Sequence, residues 1–234
     1  MVGPLFRLSS KGVVKAEFDT TGALINRYAA RPDGGVIMIH SDGHLFIDNF
    51  APDGTRESSV PMERPPVPFF PSQLAVFRSG EILVSGLQTR IGYKASTAIF
   101  DPTGHLVKQL VLDGDVAIEN AIAQDAGAQK QNISAIDTSV AITGDDGPVY
   151  LIRATSPVTV YAISPAGEVV RQFVVRAPGI KASPLFGGVR VAKNRLVVQG
   201  AQACDSTSDS CRSTVYAVFD ATTGKQLATY ELAR

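Results

Sequence analysis

The chain has no tryptophan, only two cysteines and only three histidines among its 234 residues. Two cysteines cannot build a four-thiolate zinc site, and the C-x₆-C spacing of Cys204 and Cys211 is not a redox motif. A zinc centre needs three or four ligands around one ion. His105 follows a turn far along the chain from the other two histidines. His40 and His44 flank Ser41-Asp42-Gly43, with Asp42 and Asp48 as the nearest extra oxygens. These are read as surface polar residues, and no metal centre is expected. Charge of one sign is missing as well: 22 basic residues face 22 acidic ones, with a pI near 6.8. That balance leaves no basic footprint for nucleic acid. No apolar run approaches the roughly 20 residues of a membrane helix, so no membrane span is expected. P-loop, dinucleotide and G-x-S-x-G patterns are absent, so no cofactor and no catalytic residue is assigned. Helical periodicity is scarce too. Only Asp115–Lys130, rich in Ala and Gln, is predicted to form a short helix.

What the chain does contain is repetition. Five segments carry an alternating apolar run, a turn ending in Gly, and a second run: Leu5–Phe18, Leu45–Met62, Thr97–Leu112, Val160–Val175 and Val215–Leu232. Their turn glycines are Gly12, Gly54, Gly104, Gly167 and Gly224, where a tight reversal calls for positive φ. Between them lie four further hairpins, Arg27–His40, Leu74–Gly86, Val140–Arg153 and Val189–Gly200. These turn at Asp33-Gly34, Ser79-Gly80, Asp146-Gly147 and Lys193-Asn194. Two hairpins per repeat make four strands, a to d, which is one blade of a β-propeller. The predicted fold is therefore all-β, with a half blade at 5–18 and blades at 24–62, 71–113, 135–176 and 184–232 of a single domain. The outer-turn glycines are spaced 42, 50, 63 and 57 residues apart, in the range of propeller repeats. About four and a half blades are expected here, whereas six at that spacing would take about 318 residues. The first residues carry no leader pattern, and the blade count leads to the expectation that Met1 is an internal start in an incomplete ring.

Pro71–Gly86 (PSQLAVFRSGEILVSG), followed by STAIFDPTGHLVKQLVL from Ser96, resembles the six-bladed propellers of the NHL/TolB-like group. The likeness runs over essentially the whole chain, but its motif is structural and carries no catalytic residue. WD-repeat hallmarks are absent. The resemblance implies a binding platform or, less often in that group, a metal-dependent hydrolase or lyase.

In a propeller the b–c and d–a loops surround the mouth of the central channel, so function is sought there. In the b–c loop Leu87–Ala95, Arg90, Tyr93 and Lys94 combine two cations with an aromatic ring, suited to an anionic or glycan ligand; an ordinary solvated loop is the alternative. In the d–a loop Glu63–Ser72, Phe69 and Phe70 stand among four prolines and either grip a partner or tuck between blades. Asp113, Asp115, Asp145 and Asp146 lack the full calcium-loop spacing and are read as turn formers. Asn132-Ile133-Ser134 fits a glycosylation triplet only as such triplets arise by chance. Cys204 and Cys211 close the polar loop Gln199–Ser213 and are expected to form a disulfide, the alternative being two free thiols. A disulfide implies an oxidising, extracytoplasmic compartment. The leading expectation is a non-enzymatic binding or scaffold propeller offering loops to a protein, peptide or glycan. A lactonase-like metal-dependent hydrolase or lyase is the alternative.

Overall fold

The structure, a computed structural model, describes residues 4–21, 23–88, 95–112, 141–144, 147–153, 158–175, 188–203 and 212–232. Its described residues form strands joined by turns and connections. β1 (Leu5–Leu8) and β2 (Val14–Phe18) make a two-stranded half blade. Blade 1 holds β3 (Ala23–Ala30), β4 (Val36–Ser41), β5 (Leu45–Phe50) and β6 (Arg56–Pro61). Blade 2 holds β7 (Phe70–Val76), β8 (Ile82–Leu87), β9 (Ala95–Phe100) and β10 (Leu106–Leu110). Blade 3 holds β11 (Ala141–Thr143), β12 (Val149–Arg153), β13 (Thr159–Ile163) and β14 (Val169–Val174). Blade 4 holds β15 (Gly188–Ala192), β16 (Arg195–Ala203), β17 (Arg212–Asp220) and β18 (Gln226–Leu232). Every sheet is antiparallel with its strands in chain order, and the described residues form an all-β array of four four-stranded propeller blades and a two-stranded half blade. The first strands lie side by side, β3 with β7, β7 with β11 and β11 with β15, and so define the inner axis.

Turn chemistry explains why the strands reverse where they do. At Ala51–Thr55 the Gly54 amide donates to Ala51 O (3.0 Å) and the Ala51 amide to Thr55 O (2.8 Å), with Gly54 at φ +94°. A type I turn closed by a left-handed residue has this pattern, and Gly supplies the positive φ without a Cβ clash. The same bonds recur at Ser9–Val13, Arg31–Gly35, Phe77–Glu81, Asp101–His105, Gly144–Pro148 and Ser164–Glu168. The Asp and Ser that open several turns cap them. Asp101 Oδ1 accepts from the amides of Thr103 (2.8 Å) and His105 (3.0 Å), and Ser164 Oγ from the amide of Glu168 (3.1 Å). Asp101 is thus a turn former, as its sequence context implies. The remaining a–b reversal, Lys193-Asn194, has both residues at positive φ (46° and 62°) and joins the pair Ala192–Arg195 directly. This is the two-residue turn whose twist matches that of its strands.

All five c–d hairpins also carry a register shift close to the turn, between Arg7 and Leu8, Asn49 and Phe50, Leu106 and Lys108, Ala162 and Ile163, and Val218 and Phe219. Bulges of this kind sharpen local twist and blunt an outer edge against pairing with foreign strands. In one place the pairing goes further than the sequence suggests. The expected loop Gln199–Ser213 is largely ladder, paired from Gln199–Tyr216 to Ala203–Arg212. Its polar, Ala- and Gly-containing residues have little intrinsic strand preference, but each added rung satisfies two backbone groups, and context overrides propensity.

The core lies between blades rather than within them. Ile39, Ile47, Val76, Val84 and Phe100 fill the space between blades 1 and 2. Phe77, Leu83, Ile99, Leu151 and Tyr161 do so between blades 2 and 3. Tyr150, Phe173, Val198 and Phe219 join blades 3 and 4, with the Phe173 and Phe219 rings edge-on at 5.8 Å. Ala16 and Phe18 of the half blade cover Met38 and Phe50 of blade 1. The outer-turn glycines sit on the last strand of the preceding sheet. A Cβ on Gly54 would lie 2.3 Å from Glu17 O of β2, and one on Gly104 2.3 Å from Pro61 O of β6. On Gly167 it would meet the Lys108 side chain of β10 at 2.7 Å, and on Gly224 the Arg171 side chain of β14 at 3.5 Å. On Gly12, in the leading hairpin, it would meet nothing within 4 Å among the described residues.

This contrast yields a measurable difference. Gly12→Ala introduces only the strain of a left-handed alanine, about 1 kcal/mol. Gly104→Ala adds a collision with backbone and is expected to cost about 3 kcal/mol or more. Urea unfolding of the two variants checks this, and equal losses would mean that the turn does not seat on β6.

Candidate functional site

The two ends of the blades differ. At one end the a–b and c–d turns are short and nearly identical, whereas at the other the b–c and d–a connections vary widely. The b–c connection of blade 1 is only Asp42–His44, and β16 and β17 of blade 4 are separated by residues 204–211. Between β6 and β7 the chain runs through Met62–Phe69, and between β10 and β11 through residues 111–140. The variable end is where a ligand-specific surface is sought.

Several residues singled out from the sequence fall outside the described residues: Arg90, Tyr93 and Lys94, both cysteines, Asp113, Asp115, Asp145, Asp146, the triplet 132–134 and the expected helix at 115–130. The described ladder of blade 4 nevertheless ends at Ala203–Arg212, so the next residue on each side is Cys204 or Cys211.

Phe69 and Phe70 are described, and the backbone separates them. Phe70 opens β7, paired with Leu87, rather than lying in the loop, and its ring is 46% exposed at the variable end. Phe69 points the opposite way, is 8% exposed and belongs to the core between blades 1 and 2. It lies over Gly86, where a Cβ would come within 2.7 Å of the Phe69 ring and 2.0 Å of Phe70 O. A strand glycine here permits the close approach. One phenylalanine therefore packs and the other faces out.

Beneath this surface blade 2 carries a buried polar layer. Arg153 of β12 donates through Nη2 to Ser85 Oγ (2.8 Å) and Thr97 Oγ1 (2.5 Å), and Ser85 Oγ donates to Ser96 O (3.3 Å). Gln109 exchanges two bonds of 2.9 Å with the backbone of Val67 and donates to Ser96 Oγ at the same distance. These bonds tie the d–a connection to blade 2, and blade 2 to blade 3. Gln88, 1% exposed and next after β8, has no partner for either side-chain polar atom among the described residues.

His40 and Asp48 meet at the same end of blade 1. His40 Nδ1 lies 2.7 Å from Asp48 Oδ2, and the imidazole stacks on Phe46 at 4.9 Å. Asp48 is 2% exposed, with Arg56 4.0 Å from Oδ2 and no partner for Oδ1 among the described residues. Arg56 in turn binds Asp19 of the half blade (3.0 Å), linking the two sheets. His40 and His44 flank the turn, but the His40 imidazole turns back along the strand to Asp48, while His44 is exposed. The diagonal cross-strand contact of residues 40 and 48 follows from the register His40–Phe46 and Met38–Asp48, which composition does not reveal. His105 lies 3.6 Å from Glu63. Among the described residues no three His, Cys, Asp or Glu side chains converge, so His40 and Asp48 do not by themselves fit a metal.

No family model matches the sequence, nor does any curated protein sequence. Solved structures do. The Dos1 propeller aligns over 97% of the chain with a TM-score of 0.56 at 12% identity, and the chain spans about half of it (52%). A protein of unknown function from Bacteroides caccae aligns over 97% of the chain and 68% of its own length, with a TM-score of 0.47 and 9% identity. A eukaryotic initiation factor aligns with a TM-score of 0.43 at 9% identity, over 99% of the chain and 61% of its own length. The first of these likenesses is one of propeller fold.

The opposed phenylalanines give a direct check of which ring supports the fold. Phe69→Ala is expected to lower stability by about 3 kcal/mol through the cavity it leaves. Phe70→Ala should stay within about 0.5 kcal/mol. Chemical unfolding of both variants reads the difference, and a large loss for Phe70→Ala would assign that ring to packing.

Proposed function

We propose that this chain is a non-enzymatic binding module, a propeller whose variable end presents side chains to a protein, peptide or glycan. The observation that carries this reading is the asymmetry of the blades. One end repeats the same turn from blade to blade, while the other varies in length and exposes Phe70, paired with Leu87 at the end of β8, after which the sequence carries Arg90, Tyr93 and Lys94. An exposed aromatic ring suits a partner with an apolar group, and the Arg and Lys residues in the sequence of this b–c connection suit an anionic or hydroxyl-rich one. The fold class alone leaves function open, so the reading rests on this surface. A six-bladed ring of the NHL/TolB-like group is the complete form we infer. We also infer an extracytoplasmic home, because the described blade 4 ladder brings Ala203 opposite Arg212, the chain neighbours of Cys204 and Cys211, and a disulfide between these two cysteines would need an oxidising compartment.

Glycan and peptide arrays probed with the chain and with an Arg90→Ala, Tyr93→Ala, Lys94→Ala triple variant test the binding role. The expected outcome is a ligand whose affinity falls at least about tenfold in the variant, with an unchanged melting temperature. Undiminished binding by the variant, or hydrolysis of lactones on adding divalent metal, overturns the reading. Thiol titration of the unreduced protein is expected to find no free thiol, and two free thiols would remove the argument for an oxidising compartment.

A further inference from the structure

A cavity of about 400 Å³ opens between blades 1 and 2 at the end where the uniform turns lie, away from Phe70. It exists because blade 1 breaks the pattern of the repeat at two positions. In blade 2, Phe77 opens the a–b turn, its amide bonded to Glu81 O, and Ile99 follows two strands on, paired with Leu83. All three side chains are fully buried against blade 3. The corresponding positions in blade 1 hold Arg31, whose amide bonds to Gly35 O in the same turn, and Asn49, paired with Ile37 as Ile99 is with Leu83. A buried Phe and a buried Ile have thus become a charged and an amide side chain, and the volume they would fill is open.

The polar groups of this cavity are not equivalent. Arg31 is already engaged: it donates to Glu57, to Asp33 (2.5 Å) and to Phe50 O (3.5 Å), and the Glu57 contact, ahead of Asp33, holds its pKa above the usual range. Both carboxylates are held by Arg31, and Asp33 also takes the Gly35 amide at 2.9 Å. Asn49, 8% exposed, donates to Ser58 Oγ at 3.0 Å, and its Oδ1 has no partner among the described residues. Arg78, exposed at the mouth beside Gly80 and Pro102, has none either. The floor is apolar, made by Ile37 and Val76. One uncommitted cation at the mouth, one buried acceptor inside and an apolar floor define a recognition pattern. The volume lies within the range of small-molecule sites.

We propose that this cavity binds a small organic monocarboxylate. Its carboxylate pairs with Arg78, an N–H or O–H donates to Asn49 Oδ1, and a flat apolar body lies over Ile37 and Val76. The two acids beside Arg31 disfavour dianions and phosphates, since a second negative charge would lie near Glu57 and Asp33 without a free counter-ion. This site is separate from the surface proposed for macromolecular recognition, and neither depends on the other.

Hippurate carries all three features, and its neutral primary amide lacks only the charge. Calorimetric titration of both into the chain tests the proposal. Hippurate is expected to bind at least about tenfold more tightly than its amide, with an advantage that shrinks as salt is raised. Arg78→Ala should reduce hippurate to the level of the amide. Asn49→Ile, which restores the residue type of blade 2, should abolish binding of both without lowering the melting temperature. Because Arg78 is exposed, its variant remains informative even if Asn49→Ile fails to fold. The proposal is overturned by equal binding of hippurate and its amide, by undiminished binding in Arg78→Ala, or by no binding of hippurate up to about 10 mM.

Discussion

Burial between successive blades is the interaction on which the rest of the structure depends. A four-stranded sheet with apolar residues on both faces cannot stand alone in water, so each blade is stable only against its neighbours. The Phe, Tyr, Ile and Val side chains between blades 2, 3 and 4 are almost wholly removed from solvent. At roughly 25 cal/mol per Å² of apolar surface, each such aromatic ring contributes about 2–3 kcal/mol relative to exposure. The outer-turn glycines let that packing continue to the rim, because the turn of one blade comes down on the last strand of the one before.

The half blade shows the same rule from its edge. Ala16 and Phe18 face blade 1 and are buried, while Phe6, Leu8 and Val14 on the other face are 41–56% exposed. A Cβ on Gly12 would correspondingly meet no atom of the described residues within 4 Å. Blade 4 exposes Tyr230 and Leu232 on its last strand. These apolar side chains have the character of interblade positions without a blade opposite them among the described residues.

Where the repeat is obeyed, residues pack; where it is broken, polar groups and open space enter the interior. Asp48 and Asn49 occupy adjacent positions on β5, and both are polar where β9 has Ala98 and Ile99. Asp48 faces the half blade and meets His40, whereas Asn49 faces blade 2 and lines the cavity. The pleat turns two neighbouring departures toward opposite sides of one sheet. In blade 2 the departure is instead a polar layer around Ser85 and Thr97, joined by Arg153 from blade 3.

The fold was legible in the sequence because its signals are local. Period-two alternation marks strands, and a left-handed residue between them calls for Gly, or for Lys193-Asn194 where both turn residues have positive φ. That chemistry is complete within a few residues, so the strand order and the blade structure could be read without coordinates. Register and facing are not local. Whether Phe69 or Phe70 turns outward, where the bulges fall, that His40 meets Asp48, and that Arg31 and Asn49 replace a packed Phe and Ile all depend on which strand lies opposite and how it is aligned. A one-residue shift would exchange every inward and outward side chain. The sequence by itself therefore determined a propeller of repeated hairpins, and only the tertiary structure decided which side chains those hairpins bring together.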